Sequence, residues 1–135
     1  MKKIKFYKLP SGRSPVEDFL DSLTSKEAQK VVWVLNLIEE MENISTKFYK
    51  QLSNCDGIVE VRIQIAKNNF RLLGFEDKDI FVILTNGFKK KDQKVPKSEI
   101  NLAQQRRDEY LIRGTKWVIY KTIFKNEKKL ILNLH

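Results

Sequence analysis

The chain has 135 residues, enough for one domain with a real apolar core and too few for two. A single cysteine, Cys55, and a single histidine, His135, exclude a disulfide framework, a His/Cys metal cluster and any ordinary Cys-His or Ser-His nucleophile pair. The net charge of +9 is unevenly placed: residues 57–135 hold 17 basic and 9 acidic groups, a net of +8, while residues 1–56 hold 9 and 8. Such asymmetry suits a polyanion, of which nucleic acid is the commonest, or an acidic protein partner.

In chain order, "KKIKFYKL" (2–9) predicts a short strand ended by the turn "PSGRSP". Ser14-Pro15-Val16-Glu17 has the capping-box form, with Pro15 where a missing N–H costs nothing, and it opens a helix carrying Val16, Phe19, Leu20 and Leu23. Thr24-Ser25-Lys26-Glu27 repeats the box for a longer helix whose apolar face is Ala28, Val31, Val32, Leu35 and Ile38, with Met41 at its margin, broadened by Val34 and Leu37. The two make a helical hairpin. The period then changes from helix to strand. "IVEVRIQI" (58–65) alternates, with Val59, Val61, Ile63 and Ile65 on a core side and Glu60, Arg62 and Gln64 on a wet side. "FRLLGF" and "IFVILTNGF" complete a three-stranded meander, the last apolar on both faces and therefore central. After a block of lysines, Pro96 opens a third helix, "KSEINLAQQRRDEYLIR". The expected fold is α+β: a small antiparallel-rich sheet, formed by the N-terminal strand and the meander, with the helical hairpin packed on it, a further helix after the meander, and the helices on one face. Residues 1–113 form this domain. Residues 114–135 are an extension in which strand and helix fit equally well. No apolar run in residues 1–30 is long enough for a signal peptide or a span, so a soluble, cytoplasmic protein with no membrane partner is expected.

The chemistry on offer is cationic. Neither a phosphate-binding glycine loop nor a carboxylate group at metal-site spacing can be written, so no metal and no cofactor is expected. Arg62 in the first meander strand, Arg71 in the second and Lys89, Lys90 and Lys91 at the end of the third converge at one sheet edge if the turns are tight. Cations gathered there can grip a phosphodiester, stabilise charge on phosphorus and transfer a proton from a lysine whose pKa its neighbours depress. An RNA strand cut by its own 2′-hydroxyl needs only those services. Phe70 and Phe88, if exposed, stack bases; otherwise they belong to the core. Glu60, beside Arg62, reads as a simple salt bridge.

Three stretches, "GIVEVRI", "NNFRLLGF" and "LTNGFKKKDQKVPKSEINLAQQR", together resemble the phage-derived branch of the RelE/HigB superfamily, toxins of type II toxin-antitoxin systems, over about residues 1 to 111. The resemblance implies a RelE/ParE-like fold and metal-free cleavage of mRNA in the ribosomal A site, hence ribosome and mRNA as partners. It also implies neutralisation by a cognate antitoxin of helix-turn-helix type, encoded adjacently and able to form a hetero-oligomer with the toxin. By motif position Arg62 and Arg71 would contact the scissile phosphate, Lys90 and Lys91 would be the paired catalytic lysines, Glu60 would order Arg62, and Lys89, Lys94 and Lys97 would bind RNA backbone. The chain departs from the pattern in Val95, where relatives commonly have a helix-capping threonine, and in its longer tail. Two other readings keep the fold: a ParE-like gyrase inhibitor acting by protein binding, and a non-catalytic basic nucleic-acid-binding domain.

Overall fold

A computed structural model describes residues 1–53 and 55–114. The extension expected from residue 114 lies outside the described residues save for Gly114. In order, the elements are β1 (Lys3–Phe6), α1 (Pro15–Asp21), α2 (Ser25–Glu40), β2 (Tyr49–Gln51), β3 (Ile58–Ile65), β4 (Asn68–Asp77), β5 (Phe81–Lys89) and α3 (97–114). The strands form one five-stranded sheet in the order β1-β5-β4-β3-β2. All pairings are antiparallel except β1 with β5, which run parallel with Lys3 beside Phe81 and Phe6 beside Leu84. The fold is the expected α+β arrangement, with a hairpin, a meander and a following helix. The strand β2 was not expected, because "YKQ" is too short to show alternation.

Both helices of the hairpin start as their sequences dictate. Ser14 Oγ accepts from the Glu17 N–H at 3.2 Å. At Thr24 the box is reciprocal, its Oγ1 accepting from Glu27 N–H while Glu27 Oε1 accepts from Thr24 N–H at 2.9 Å. The hairpin buries Val16, Val31, Val34, Leu35 and Ile38 against Val59, Val61, Ile63, Phe70, Leu72, Val82 and Leu84. Within α2 the inward residue is Val34, while Val32 is 49% exposed, a reversal of their expected ranks. Glu39 accepts from the Ile4 N–H at 3.2 Å, so α2 also covers the free edge of β1.

Helices occupy both faces of the sheet rather than one. Successive side chains of a strand point to opposite sides, and the residues alternating with the hairpin's contacts, Ile58 and Leu73, pack with Ala103 and Ile100 of α3, while Phe75 meets Tyr110 edge to face. Pro96 is the residue whose carbonyl accepts the first α3 hydrogen bonds, from Glu99 and Ile100. Val95 therefore precedes the cap, and its packing in one cluster with Ile100 is that of a hydrophobic staple. The missing threonine hydroxyl costs nothing at this position.

A bulge interrupts the register between β4 and β5. Leu73 lies opposite Asn86 but Gly74 opposite Leu84, so Thr85 is the extra residue. The insertion reverses the faces of the end of β5, sending Asn86 and Phe88 to the α3 side. Asn86 there donates to Glu99 Oε2 at 2.8 Å, and Arg106 donates to the Thr85 carbonyl at 2.7 Å. Gly74 is required by the close approach of the strands: a Cβ built on it would lie 2.0 Å from the Ile83 oxygen. We expect Gly74→Ala to cost about 3 kcal/mol or more, seen as a fall in Tm of roughly 10 °C; an unchanged melting curve would show that β5 can yield at the bulge.

Candidate functional site

Three strands bring the site together on the α3 side of the sheet. In the β3–β4 register Arg62 stands directly opposite Arg71, and in the β4–β5 register Arg71 stands opposite Phe88. Two like charges facing each other across strands are unfavourable unless something neutralises them. Glu60, two residues before Arg62 on the same face, does so. Its Oε1 lies 3.2 Å from Arg62 Nε and its Oε2 lies 3.4 Å from Arg71 Nε.

Burial overturns the reading of Glu60 as a wet-side residue. It is 3% exposed and Arg71 is 6% exposed. The expectation failed because the far face of β3 is closed by a helix that begins nearly forty residues later in the chain. Arg71 likewise has an acidic partner that its sequence neighbours did not reveal. Its Nη1 donates to the Phe70 carbonyl at 3.0 Å, and burial presses its pKa down while Glu60 opposes the shift. Arg62 is half-buried, ion-paired through Nε and bonded through Nη1 to the Thr46 carbonyl at 3.4 Å. The Arg71 Nε and Glu60 Oε2 contact lacks hydrogen-bond alignment, so charge attraction rather than a directed bond joins them.

Lys90 completes the cluster. Its backbone N–H donates to the Asn69 carbonyl at 2.8 Å, which fixes the strand end beside Arg71. Its pKa is lowered by partial burial and then by the nearby Arg71 and Arg62, with Glu60 pulling the other way. A lysine so placed holds its proton less tightly than a free lysine, which suits proton transfer. Two arginines share one carboxylate with a lysine close by, and the site keeps a net positive charge.

The other expected residues divide. Lys89 stands opposite Phe70, on the hairpin side, where its charge acts on Glu27. It does not join the arginines. Lys91, Lys94 and Lys97 are exposed along the loop and the first turn of α3. Phe70 is 3% exposed with its ring 6.1 Å from that of Phe19, so it is a core residue with no face for a base. Phe88 is half-buried beside Ile58, Leu73 and Ala103. Beside the arginines an open cleft of about 430 Å³ runs around the end of β3, lined in part by Lys30, Lys47 and Phe48, which sequence reasoning missed. The pair of aromatics flanked by lysines in "KFYK" (47–50) was the available signal.

Residues 18–108 match the family described as "Phage derived protein Gp49-like (DUF891)". The chain belongs to this Gp49-like family. It is a family of RelE/HigB-type toxins, and the match spans the hairpin from Asp18 onward, the whole meander and most of α3. No curated protein matches the chain. The Gp49-like assignment is consistent with a toxin of a toxin-antitoxin system and implies an antitoxin partner. Among the described residues no group of His, Cys, Asp and Glu side chains is placed to hold a metal ion, and no helix is long and apolar enough to cross a membrane.

Proposed function

We propose that this Gp49-like protein is an endoribonuclease toxin that cuts mRNA on the ribosome without a metal ion, in the cytoplasm, and is held in check by an adjacently encoded helix-turn-helix antitoxin. The observation that carries the reading is the pairing of Arg62 and Arg71 on the buried Glu60, with Lys90 held at the adjoining strand end. A domain that only binds nucleic acid needs spread charge, whereas this arrangement focuses charge at one point.

In the proposed reaction the 2′-oxygen attacks the adjacent phosphorus and its proton leaves to water. The bond from phosphorus to the 5′-oxygen breaks, giving a cyclic phosphate and a 5′-hydroxyl. Arg71 and Arg62 hold the non-bridging oxygens as charge grows on them, through guanidinium groups kept in place by Glu60. The Lys90 ammonium gives a proton to the departing 5′-oxygen, with Lys91 as an auxiliary cation. Lys94, Lys97 and the half-buried Phe88 serve RNA binding in this scheme. Glu60 is committed to two arginines and acts as their positioning residue.

Primer extension on mRNA after brief induction tests the reading. Cuts phased with codons, abolished by a 2′-deoxy sugar at the cleaved nucleotide, are expected. Intact mRNA accompanied by DNA damage would instead favour a gyrase inhibitor. Lys90 adds a pH signature. An acid must be protonated, so activity is present below its pKa and is lost as pH rises through it; because that pKa is lowered, the loss comes at a lower pH than for an ordinary lysine. Single-turnover rates from pH 7 upward should show this falling limb, and Lys90→Arg should move it upward. A limb unchanged in Lys90→Arg would remove Lys90 from the proton transfer.

A further inference from the structure

The sheet is shorter on one side than its neighbours require. β2 ends its pairing at Tyr49 opposite Val61, and β3 continues to Ile65, so the last residues of β3 border an open edge. The cleft of about 430 Å³ lies there, within the size range of small-ligand sites. Arg62 and Arg71 line it together with Lys30 of α2 and with Lys47 and Phe48 of the loop before β2, and the Arg62 N–H donates to the Phe48 carbonyl at 2.8 Å. Among the described residues its lining has four cations and no carboxylate. The aromatic end is organised. Phe48 meets Trp33 edge to face with ring centroids 5.7 Å apart, Trp33 is 49% exposed, and the Lys30 and Lys47 ammonium groups sit 4.4 Å and 5.5 Å from the Trp33 and Phe48 rings.

We propose that this cleft seats the nucleotide next to the scissile phosphate, its base against Phe48 and its outer phosphate between Lys30 and Lys47. The inference rests on the endoribonuclease reading and extends it, by naming a single-stranded RNA contact that the arginine cluster does not supply. Every base has a face that stacks on an aromatic ring, while flanking ammonium groups hold the backbone, so a ring set among lysines suits a single strand. A duplex fits poorly, since its bases are stacked on each other and show only edges. Trp33 meets Phe48 edge to face, and Phe48 also packs against the core, so its ring is held in place.

The experiment uses ribosomes programmed with an mRNA carrying a 2′-deoxy sugar at the cut site and 2-aminopurine beside it. Wild-type protein should quench the 2-aminopurine. Lys30→Gln/Lys47→Gln, which changes two side chains that reach solvent and leaves the core alone, should lower affinity about tenfold at low salt and reduce the slope of log affinity against log salt by about 1.4. Phe48→Leu should lose the quench and weaken binding about five- to hundredfold. In both, the loss falls on affinity more than on the single-turnover rate at saturation with all-ribose mRNA. If both variants bind and quench as wild type does while wild type cuts mRNA, the cleft is not a nucleotide seat and the endoribonuclease reading stands. Equal loss of affinity for ribosomes without mRNA would also overturn the seat, assigning the cleft to ribosome docking. If saturating wild-type protein leaves all-ribose mRNA uncut, the endoribonuclease reading itself fails, and the seat with it.

Discussion

Arg71→Lys is expected to slow single-turnover mRNA cleavage by roughly 10² to 10³ while leaving the protein folded. Lysine keeps the positive charge that Glu60 faces at 3.4 Å, so the buried carboxylate is not abandoned. What it removes is the planar fork that grips two phosphate oxygens at once. Arg71 is the arginine to choose because it is nearly enclosed at 6% exposure, and an enclosed donor is worth more to a developing charge than one in water. The same change at Arg62, which is half-buried and tied to the Thr46 carbonyl, should cost less. The check is a cleavage rate measured beside a melting curve. A folded Arg71→Lys protein cutting at the wild-type rate would move the chemistry away from this residue.

The second large effect concerns stability. Taking one partner from a buried ion pair strands the other, at a cost of about 3–5 kcal/mol. Glu60→Gln leaves Arg62, Arg71 and Lys90 facing one another without their shared counter-charge, so it should lie in that range and be eased by salt. Arg71→Gln should lie at the lower end, because Arg62 stays on Glu60 at 3.2 Å. The double variant should lose less than the sum of the single losses by about 1–3 kcal/mol. Urea titrations of the four proteins measure the coupling. Strict additivity would show that the 3.4 Å contact, which lacks hydrogen-bond alignment, contributes nothing to folding.

How far each feature could be read from the sequence depends on the range over which it is decided. Helix starts are local, and the Ser14 and Thr24 caps were legible because three or four residues settle them. The strand pattern of residues 58–65 was equally plain, and so was the placing of Arg62 and Arg71 on adjacent strands. Alternation says that Glu60 and Val61 face opposite ways, but it does not say that the side away from the hairpin is wet. That is decided by α3, and Glu60 was misplaced for want of it. The roles of the two phenylalanines turned on a second distant fact. Register places Phe70 beside Lys89 and Phe88 beside Arg71 only because Thr85 is an extra residue in β5, and no local pattern in "LTNGF" announces a bulge. The cleft was invisible because its residues come from a helix, a loop and two strands.

The parallel pairing of β1 with β5 governs how the protein comes into being. Parallel strands cannot be joined by a tight turn, and here Lys3 must meet Phe81 across almost the whole intervening chain. The strand synthesised first is therefore among the last to find its place, since Ile4 and Phe6 have no neighbour in the sheet until Val82 and Leu84 have been made. Contacts of such long sequence separation slow folding. A nascent chain keeps β1 unpaired until β5 has been made, and the sheet is first complete while α3 is still to be added.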